Sequence, residues 1–327
     1  MQRRPFLQSA AAALAASMSW SGVARAADWP SRLIKIVVPF GPGGVADVTA
    51  RIVAKKLGEQ LHQSVIIENR PGAGGVVAGE LVARAAPDGY TLLLMSNGTA
   101  VSEGLFRHLP FDAQKDFAPI STLGFFDIVF VVPADSRFKT LADLLAFARA
   151  NPDKLNLGTV NIGSTQNLAA QLFKTTAGIH AQIVPFNATG AVLTALRSGQ
   201  IDAGVEVLSP MMSQIRGGTL RALAVMGEKR APELPQVPTV RESGGALAGF
   251  YAASWNALAA PAKTPPDVLQ RLNQEVVAAL KSPDVIHSLT QINVQPRPGT
   301  PAQLAELLGA EIRRWGGVIK SAGIPQQ

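Results

Sequence analysis

The stretch Leu33-Ile34-Lys35-Ile36-Val37-Val38-Pro39-Phe40, followed directly by Gly41-Pro42-Gly43-Gly44, decides the fold class. Its apolar run is typical of a buried strand, its glycines of a tight turn, and the amphipathic residues 47–61 of a helix. The same order recurs at once, with a strand at 65–69, a second glycine turn and a helix over 76–86. Because strands that alternate with helices form mostly parallel sheets covered by helices, the sequence predicts an α/β protein.

A second group of strand, turn and helix units follows along the chain. We interpret 128–133 as a strand that crosses into a second lobe, and polar turns and helices follow the strands at 155–160 and 183–186. The strand at 220–225 would return the chain, and the proline-rich residues 231–238 would link it back. We therefore expect two lobes, each with a mostly parallel sheet, joined by two crossing strands. The expected division is residues 27–127 with 231–327 for a discontinuous first lobe and residues 128–230 for the second.

The N-terminal residues 1–26 are typical of a cleavable export signal. The pair Arg3-Arg4 precedes an apolar, alanine-rich run, and small residues stand at Ala24 and Ala26. The run is interrupted by serines and falls short of the roughly 20 apolar residues that a membrane span needs. Because Phe-Leu follows the arginine pair, a twin-arginine signal, which exports folded chains, is also open. We expect cleavage after Ala26 and export from the cytoplasm.

Composition excludes several classes of function. The chain has 327 residues and no cysteine, so disulfides, a thiol nucleophile and a cysteine-ligated metal do not arise. Its four histidines are scattered without the spacing of metal ligands. The formal charge of +7 decreases when the signal, which carries three arginines and no acid, is removed. No basic cluster accompanies the two tyrosines, so we expect no nucleic-acid partner, although the positive charge favours anionic ligands.

Glycine, hydroxyl and amide residues gather at the predicted turns from strand to helix. At this edge of a parallel sheet, unpaired N–H groups and the positive ends of helix dipoles come together and favour anions. Glycine lets a ligand approach the main chain, and hydroxyl or amide side chains add donors. We therefore predict an anion site between the lobes. The candidate residues from this pattern are Gly43, Gly44, Gly74, Gly75, Ser96, Asn97, Ser164, Thr165 and Thr189.

Several of these polar residues also have a purely structural interpretation. Ser164 and Thr165 suit the start of a helix as capping residues, a role that can coexist with ligand binding. Asp47 suits the first turn of its helix, where a negative charge is favourable. Glu206 follows a predicted strand and is the one carboxylate that we place near the cleft, although a salt bridge would explain it equally well.

An enzyme interpretation is weaker than a binding one. The segment Gly41-Pro42-Gly43-Gly44-Val45-Ala46 fits the loose dinucleotide fingerprint, and Glu68 stands roughly where a ribose-binding acid belongs. However, Pro42 stiffens the turn, export removes the chain from the NAD pool, and the second glycine turn stays unexplained. The phosphate-loop and nucleophile-elbow motifs are absent. We expect no catalytic residue and no cofactor, with a secreted NAD-dependent oxidoreductase as the alternative.

Five strings of sequence, in this order and spacing, resemble the Bug proteins, which are the periplasmic substrate-binding receptors of tripartite tricarboxylate transporters. The resemblance covers essentially all of the chain after the signal. The strings are Val38-Pro39-Phe40-Gly41-Pro42-Gly43-Gly44-Val45-Ala46-Asp47, Glu68-Asn69-Arg70-Pro71-Gly72-Ala73-Gly74-Gly75, Pro87-Asp88-Gly89-Tyr90-Thr91, Lys115-Asp116-Phe117-Ala118-Pro119-Ile120 and Gly218-Thr219-Leu220-Arg221-Ala222-Leu223-Ala224-Val225.

The resemblance implies a periplasmic, two-lobed binding protein that closes on a small carboxylate or amino acid and presents it to a membrane permease. We expect a monomer without metal or cofactor, and a ligand sensor for a membrane signalling partner stays open as an alternative. In the family, main-chain N–H groups, small polar side chains and bridging waters hold the carboxylate. The ligand-binding residues that the resemblance implies are Phe40, Gly41, Gly43, Gly44, Asp47, Gly74, Ser96, Asn97, Gly163, Ser164, Thr165, Thr189 and Glu206.

This sequence departs from the family pattern mainly in the second lobe. Asn167 and Gln171 stand where the family often has His and Glu, Asn187-Ala188 replaces a common Tyr-Lys, and Glu206 replaces the usual Asp. These changes would alter contacts to the far part of a ligand more than its carboxylate anchor. The class of ligand is therefore predicted, but not the compound.

Overall fold

Strands and helices alternate along residues 29–327, the part of the chain that the computed structural model describes. The predicted export signal at 1–26 lies outside the described residues. The strands are β1 (Ile34–Val38), β2 (Val65–Asn69), β3 (Thr91–Ser96), β4 (Phe117–Pro133), β5 (Leu155–Val160), β6 (Ala181–Phe186), β7 (Ala203–Val207), β8 (Leu220–Val225), β9 (Ala253–Pro261) and β10 (Gln295–Pro296). The helices are α1 (Val45–Leu61), α2 (Val76–Ala83), α3 (Asn97–Leu105), α4 (Leu141–Ala150), α5 (Thr165–Ala177), α6 (Thr189–Arg197), α7 (Leu208–Arg216), α8 (Pro266–Lys281), α9 (Pro283–Gln291) and α10 (Pro301–Ser321).

The strand order is β2-β1-β3-β9-β4-β7-β5-β6, and β8 and β10 also pair with β4. Residues 117–127 of β4 pair with β9, and residues 128–133 pair with β7 and β8. We call the strands on the β9 side, with β10, the first half-sheet, and those on the β7 side, with β8, the second half-sheet. Pairing is parallel among β2, β1 and β3 and among β6, β5 and β7, and antiparallel around β4. The predicted α/β class is confirmed.

The hydrophobic core continues across the junction of the half-sheets. Phe130 on β4 meets Phe173 on α5 edge to face, with ring centroids 4.6 Å apart, and Phe173 meets Phe250 in the same way at 6.0 Å. Trp255 on β9 and Trp315 on α10 are almost wholly buried. Because each fully buried side chain of this size contributes about 1.5–3 kcal/mol, these aromatics fix β4 between its covering helices.

Most predicted elements exist, and their bounds shift by a few residues. The amphipathic pattern of residues 301–321 predicts a packing helix, and α10 begins and ends at these residues. The strand predicted at 128–133 is longer, since β4 begins at Phe117 and includes Pro119 in its irregularly paired first part. Three helices, α3, α7 and α9, were not predicted. Of these, α3 starts within Ser96-Asn97-Gly98-Thr99, which the sequence presents as a turn but which forms a capping box with Thr99.

Candidate functional site

The first glycine turn, between β1 and α1, leaves its main chain open. A Cβ added at Gly41, Gly43 or Gly44 would meet no atom within 4 Å. Gly43 has φ +86°, which glycine adopts without strain, and Gly44 has φ −75°. Phe40 at the start of this turn is 40% exposed. A ligand can therefore approach the backbone of residues 41–44 closely.

The start of α1 carries N–H groups that no side chain caps. Gly44 is the N-cap residue and has no side chain to accept from them, and the first backbone bond of the helix runs from Val48 N–H to Gly44 O. Four other helices do have a side-chain cap, which is supplied by Ser96 for α3, Thr140 for α4, Ser164 for α5 and Thr300 for α10. Uncapped N–H groups and the positive end of the helix dipole together attract an anion.

Asp47 in the first turn of α1 is buried and fully occupied by protein partners. Its carboxylate accepts hydrogen bonds from the Gly43 N–H at 2.9 Å, from Arg51 at 2.9 and 3.0 Å, and from Asn69 at 2.8 Å. Burial opposes ionisation of Asp47, yet the hydrogen bonds from Arg51, Gly43 and Asn69 outweigh it and hold its pKa below the usual value. Asp47 therefore shapes the turn and is neutralised by Arg51.

The second glycine turn packs against the protein and is less open than the first. Gly74 has φ +60°, and a Cβ there would lie 2.7 Å from the Phe106 ring and 3.2 Å from Ser102 Cβ. Gly75 has φ +76°, and its added Cβ would lie 3.1 Å from Pro39 of the first turn. These glycines bring the second turn close to its neighbours, with Gly75 against the first turn and Gly74 against the segment around α3.

The turn after β3 uses its polar side chains within the protein. Ser96 Oγ accepts from the Gly98 N–H at 3.1 Å, and Thr99 Oγ1 accepts from the Ser96 N–H at 3.2 Å. Asn97 is fully buried, and its amide group donates to Thr165 Oγ1 at 2.9 Å. Asn97 therefore joins α3, which follows the first half-sheet, to α5, which follows a strand of the second.

The turn before α5 packs on the other side of this contact. Ser164 Oγ caps α5 by accepting from the Asn167 N–H at 3.1 Å. Gly163 has φ +80°, and a Cβ there would lie 2.4 Å from a methyl group of Leu105 on α3. Thr165 Oγ1 lies 3.4 Å from Ser254 Oγ. Gly163, Ser164 and Thr165 are thus brought against α3 beside Asn97.

A buried tryptophan that the sequence did not single out completes this contact. Trp315 Nε1 donates to Asn97 Oδ1 at 2.7 Å and to Glu311 Oε2 at 2.6 Å. The sequence marks α10 only as an amphipathic packing helix, so no signal in it points to a polar role for Trp315. We call Asn97, Thr165, Ser254, Trp315 and Glu311 the inter-sheet cluster.

Glu206 at the end of β7 lies between the first turns of α5 and α6. Thr189 Oγ1 donates to its Oε2 at 3.1 Å, and Gln166 Nε2 lies 3.5 Å from the same oxygen. The side chain is fully buried, and burial raises the pKa of Glu206 to about 7 against the lowering effect of hydrogen bonds from Gln166, Thr189 and the main chain of Val207. The structure brings Glu206 and Thr189 together and gives Glu206 no salt bridge within residues 29–327.

The positions that depart from the family pattern differ in exposure. Asn167 is buried and its amide group donates to Thr159 Oγ1 at 3.0 Å, so it serves the fold of the second half-sheet. Asn187 and Ala188 are exposed, and α6 starts after Ala188 without a side-chain cap. Gln171 is half-buried within α5. Residues 187–188 are therefore open to solvent, as are Asn161 and Ile162 in the turn before α5.

The described residues contain no group of His, Cys, Asp and Glu arranged to hold a metal ion. Over the same residues, no helix has the length and apolar character that crossing a bilayer requires.

Comparison with known proteins gives a consistent result. A sequence model of the tripartite tricarboxylate transporter family receptor (TctC) matches residues 49–324. The protein BugT of Bordetella pertussis is 34% identical over 297 residues, which cover 90% of each chain. A solved structure of an R. palustris protein with adipate covers 92% of this chain and 100% of its own, with a TM-score of 0.81 and 34% identity. The structure of MatC from Rhodopseudomonas palustris with bound malate covers 89% of this chain and 100% of its own, with a TM-score of 0.76 and 34% identity.

These likenesses confirm the resemblance noted in the sequence and the predicted fold class, a two-lobed α/β periplasmic binding protein. The matched family consists of receptors, which bind solutes and are not classed as enzymes.

Proposed function

Because this chain belongs to the tripartite tricarboxylate transporter receptor family, we propose that it captures a small carboxylate in the periplasm and delivers it to a membrane transporter of that class. Two similar solved proteins hold carboxylates, adipate in one and malate in the other. Both compounds are small dianions, which suits an anchor made of main-chain N–H groups.

The observation that carries this proposal is the open first turn beside the uncapped start of α1. The added-Cβ positions of Gly43 and Gly44 are free of neighbours, and Gly44 gives the first N–H groups of α1 no side-chain acceptor. A carboxylate there would accept hydrogen bonds of about 1.5–3 kcal/mol each. Three or four such bonds contribute about 5–12 kcal/mol, and exclusion of water between the lobes adds to this against the entropic cost of binding, so a micromolar ligand, at roughly 8 kcal/mol, is of the right order.

The proposed ligand lies between the two lobes, divided as residues 27–127 with 231–327 and residues 128–230. The two half-sheets support this division, because β4 changes partners from β9 to β7 and β8 between Asp127 and Ile128. The turns at 39–44, 72–75 and 96–99 then belong to the first lobe, and those at 161–165 and 187–190 to the second. The protein acts as a monomer with a separate membrane permease as its partner.

A thermal-shift screen of ligand-free protein tests the proposal. The protein is unfolded in guanidinium chloride, separated from any carried ligand and refolded. It is then heated with aliphatic di- and tricarboxylates, hydroxy acids, amino acids, aromatic acids and NAD. A ligand at one hundred times its dissociation constant stabilises the fold by about 2.7 kcal/mol, which raises Tm by a few degrees. Stabilisation by carboxylates is expected, and stabilisation by NAD alone would contradict the proposal.

A further inference from the structure

Glu206 presents an unused acceptor in a buried position. Its Oε2 receives the hydrogen bonds from Thr189 and Gln166, whereas its Oε1 is buried without a hydrogen-bond partner among the described residues. A buried polar group without a partner keeps the full cost of its desolvation, and this cost is larger if the group is charged. Such a group gains most from a partner that donates a hydrogen bond.

The elements packed around Glu206 bring no charge to it. Its side-chain partners are Gln166 on α5 and Thr189 on α6, its register partner on β4 is Val129, and none of the three titrates. The basic residues of the surrounding helices lie in their last turns, at the opposite end from Glu206. They are Lys174 on α5, Arg197 on α6 and Arg216 on α7.

The two ends of the proposed cleft therefore favour different ligand groups. The start of α1 offers N–H donors to a carboxylate, whereas Glu206 offers an acceptor oxygen. A second carboxylate beside an ionised Glu206 would be repelled by its negative charge. Building on the proposed function, we infer that Glu206 selects ligands whose far end donates a hydrogen bond, namely hydroxy- or amino-carboxylates rather than unsubstituted dicarboxylates.

The affinity for ligands should depend on pH through the ionisation of Glu206. Burial raises the pKa of Glu206 to about 7, so the carboxyl titrates in the range where binding is measured. A donor on the ligand forms a stronger hydrogen bond with the ionised carboxylate than with the protonated carboxyl, and its affinity should therefore rise with pH. A second carboxylate needs the protonated form, and its affinity should fall with pH. With a pKa near 7, the ionised fraction increases roughly tenfold between pH 6 and pH 8.

Calorimetric titration of the refolded protein with length-matched compounds tests the inference. One set is γ-hydroxybutyrate, γ-aminobutyrate and succinate, and the other is ε-hydroxycaproate, ε-aminocaproate and adipate. Within the set that fits, a donor-ended compound should bind about tenfold tighter than the dicarboxylate at pH 8, the effect of one charge-assisted hydrogen bond. That advantage should shrink or reverse at pH 6.

The variant Glu206→Gln keeps the size of the side chain and removes its charge. Its binding should lose the pH dependence, its affinity for the aminocarboxylate should fall about tenfold, and its affinity for the dicarboxylate should rise. Glu306→Gln, on the exposed face of α10, is the matched control and should change none of these values.

The inference and the proposed function fail in different ways. The inference is wrong if dicarboxylates bind as tightly as donor-ended compounds at pH 8. It is also wrong if Glu206→Gln keeps the native preference for donor-ended compounds over dicarboxylates. Neither result would contradict the proposed carboxylate anchor at the start of α1. If no carboxylate in these sets or in the thermal-shift screen binds to the folded protein, the proposed function itself is wrong.

Discussion

Replacement of Gly44 by aspartate should separate the stability of the fold from its ligand binding. Gly44 is the N-cap of α1 with φ −75° and ψ 164°, a conformation open to every L-residue, and an added Cβ meets nothing within 4 Å. Aspartate is among the preferred N-cap residues because its carboxylate accepts from the N–H groups of the first helical turn. In Gly44→Asp, the new side chain would occupy the same N–H groups that we propose for the ligand.

The effect of Gly44→Asp on stability and its effect on ligand affinity should have opposite signs and different sizes. As an N-cap, aspartate exceeds glycine by only a few tenths of a kcal/mol, so the free energy of unfolding should stay the same or rise slightly. Loss of two charge-assisted hydrogen bonds to the ligand costs about 3–6 kcal/mol, which lowers affinity roughly 10²- to 10⁴-fold. Repulsion between the new carboxylate and that of the ligand adds to this loss.

Urea unfolding measures the free energy of unfolding. Calorimetric titration measures the affinity for the compound that stabilises the native protein most. Gly44→Ala is the matched control, because its methyl group fits the same space and carries no acceptor, so binding should remain within a few-fold of the native value. If Gly44→Asp binds the same compound as tightly as Gly44→Ala does, the start of α1 is not the anchor and the reasoning is refuted.

Three further predictions concern the fold. Asn97→Ala removes the buried bond to Thr165 and should lower the free energy of unfolding by about 1–3 kcal/mol in a urea titration; an unchanged midpoint would mean that this contact does not hold the half-sheets together. Burial, followed by repulsion from a nearby glutamate, raises the pKa of Asp127 from 3.8 to about 6, so its ionisation destabilises the fold as pH rises from about 4 to 6. Asp127→Asn should therefore gain stability over the native protein across this range, up to about 2–3 kcal/mol above pH 6, and a gap that is constant with pH would contradict this. Gly79→Ala should destabilise α2 despite the helix preference of alanine, worth about 1 kcal/mol, because its Cβ would lie 2.3 Å from the Phe111 ring; thermal melts should show a lower Tm.

Local patterns were sufficient for the parallel parts of the sheet. The apolar runs of β1 and β5 have strand length, and a glycine or polar turn follows each of them, so both the strand and the start of the next helix are marked in the sequence. Where a helix starts directly after a strand, as α7 does after Val207, no turn residue marks the boundary. The sequence therefore could not separate β7 from α7.

The polar residues of the turns could be located from the sequence, but not their partners. A hydroxyl at a helix start can cap the helix or bind a ligand, and only the folded chain shows that Ser96 and Ser164 accept from backbone N–H groups. The bond from Trp315 to Asn97 joins positions 218 residues apart, beyond the reach of any local pattern. The burial of Glu206 likewise depends on the packing of α5 and α6, which the residues of β7 do not specify.

The position of β9 has a consequence for the order in which the protein assembles. Because β9 lies between β3 and β4, these two strands cannot be joined until Ala253–Pro261 has been synthesised. The second half-sheet, by contrast, uses only residues between Ile128 and Val225, so it can pair earlier in synthesis. Chains that stop before Ala253 would keep an unpaired edge on the apolar strand β3, and such edges pair with other chains. Truncated products of this protein should therefore aggregate through β3.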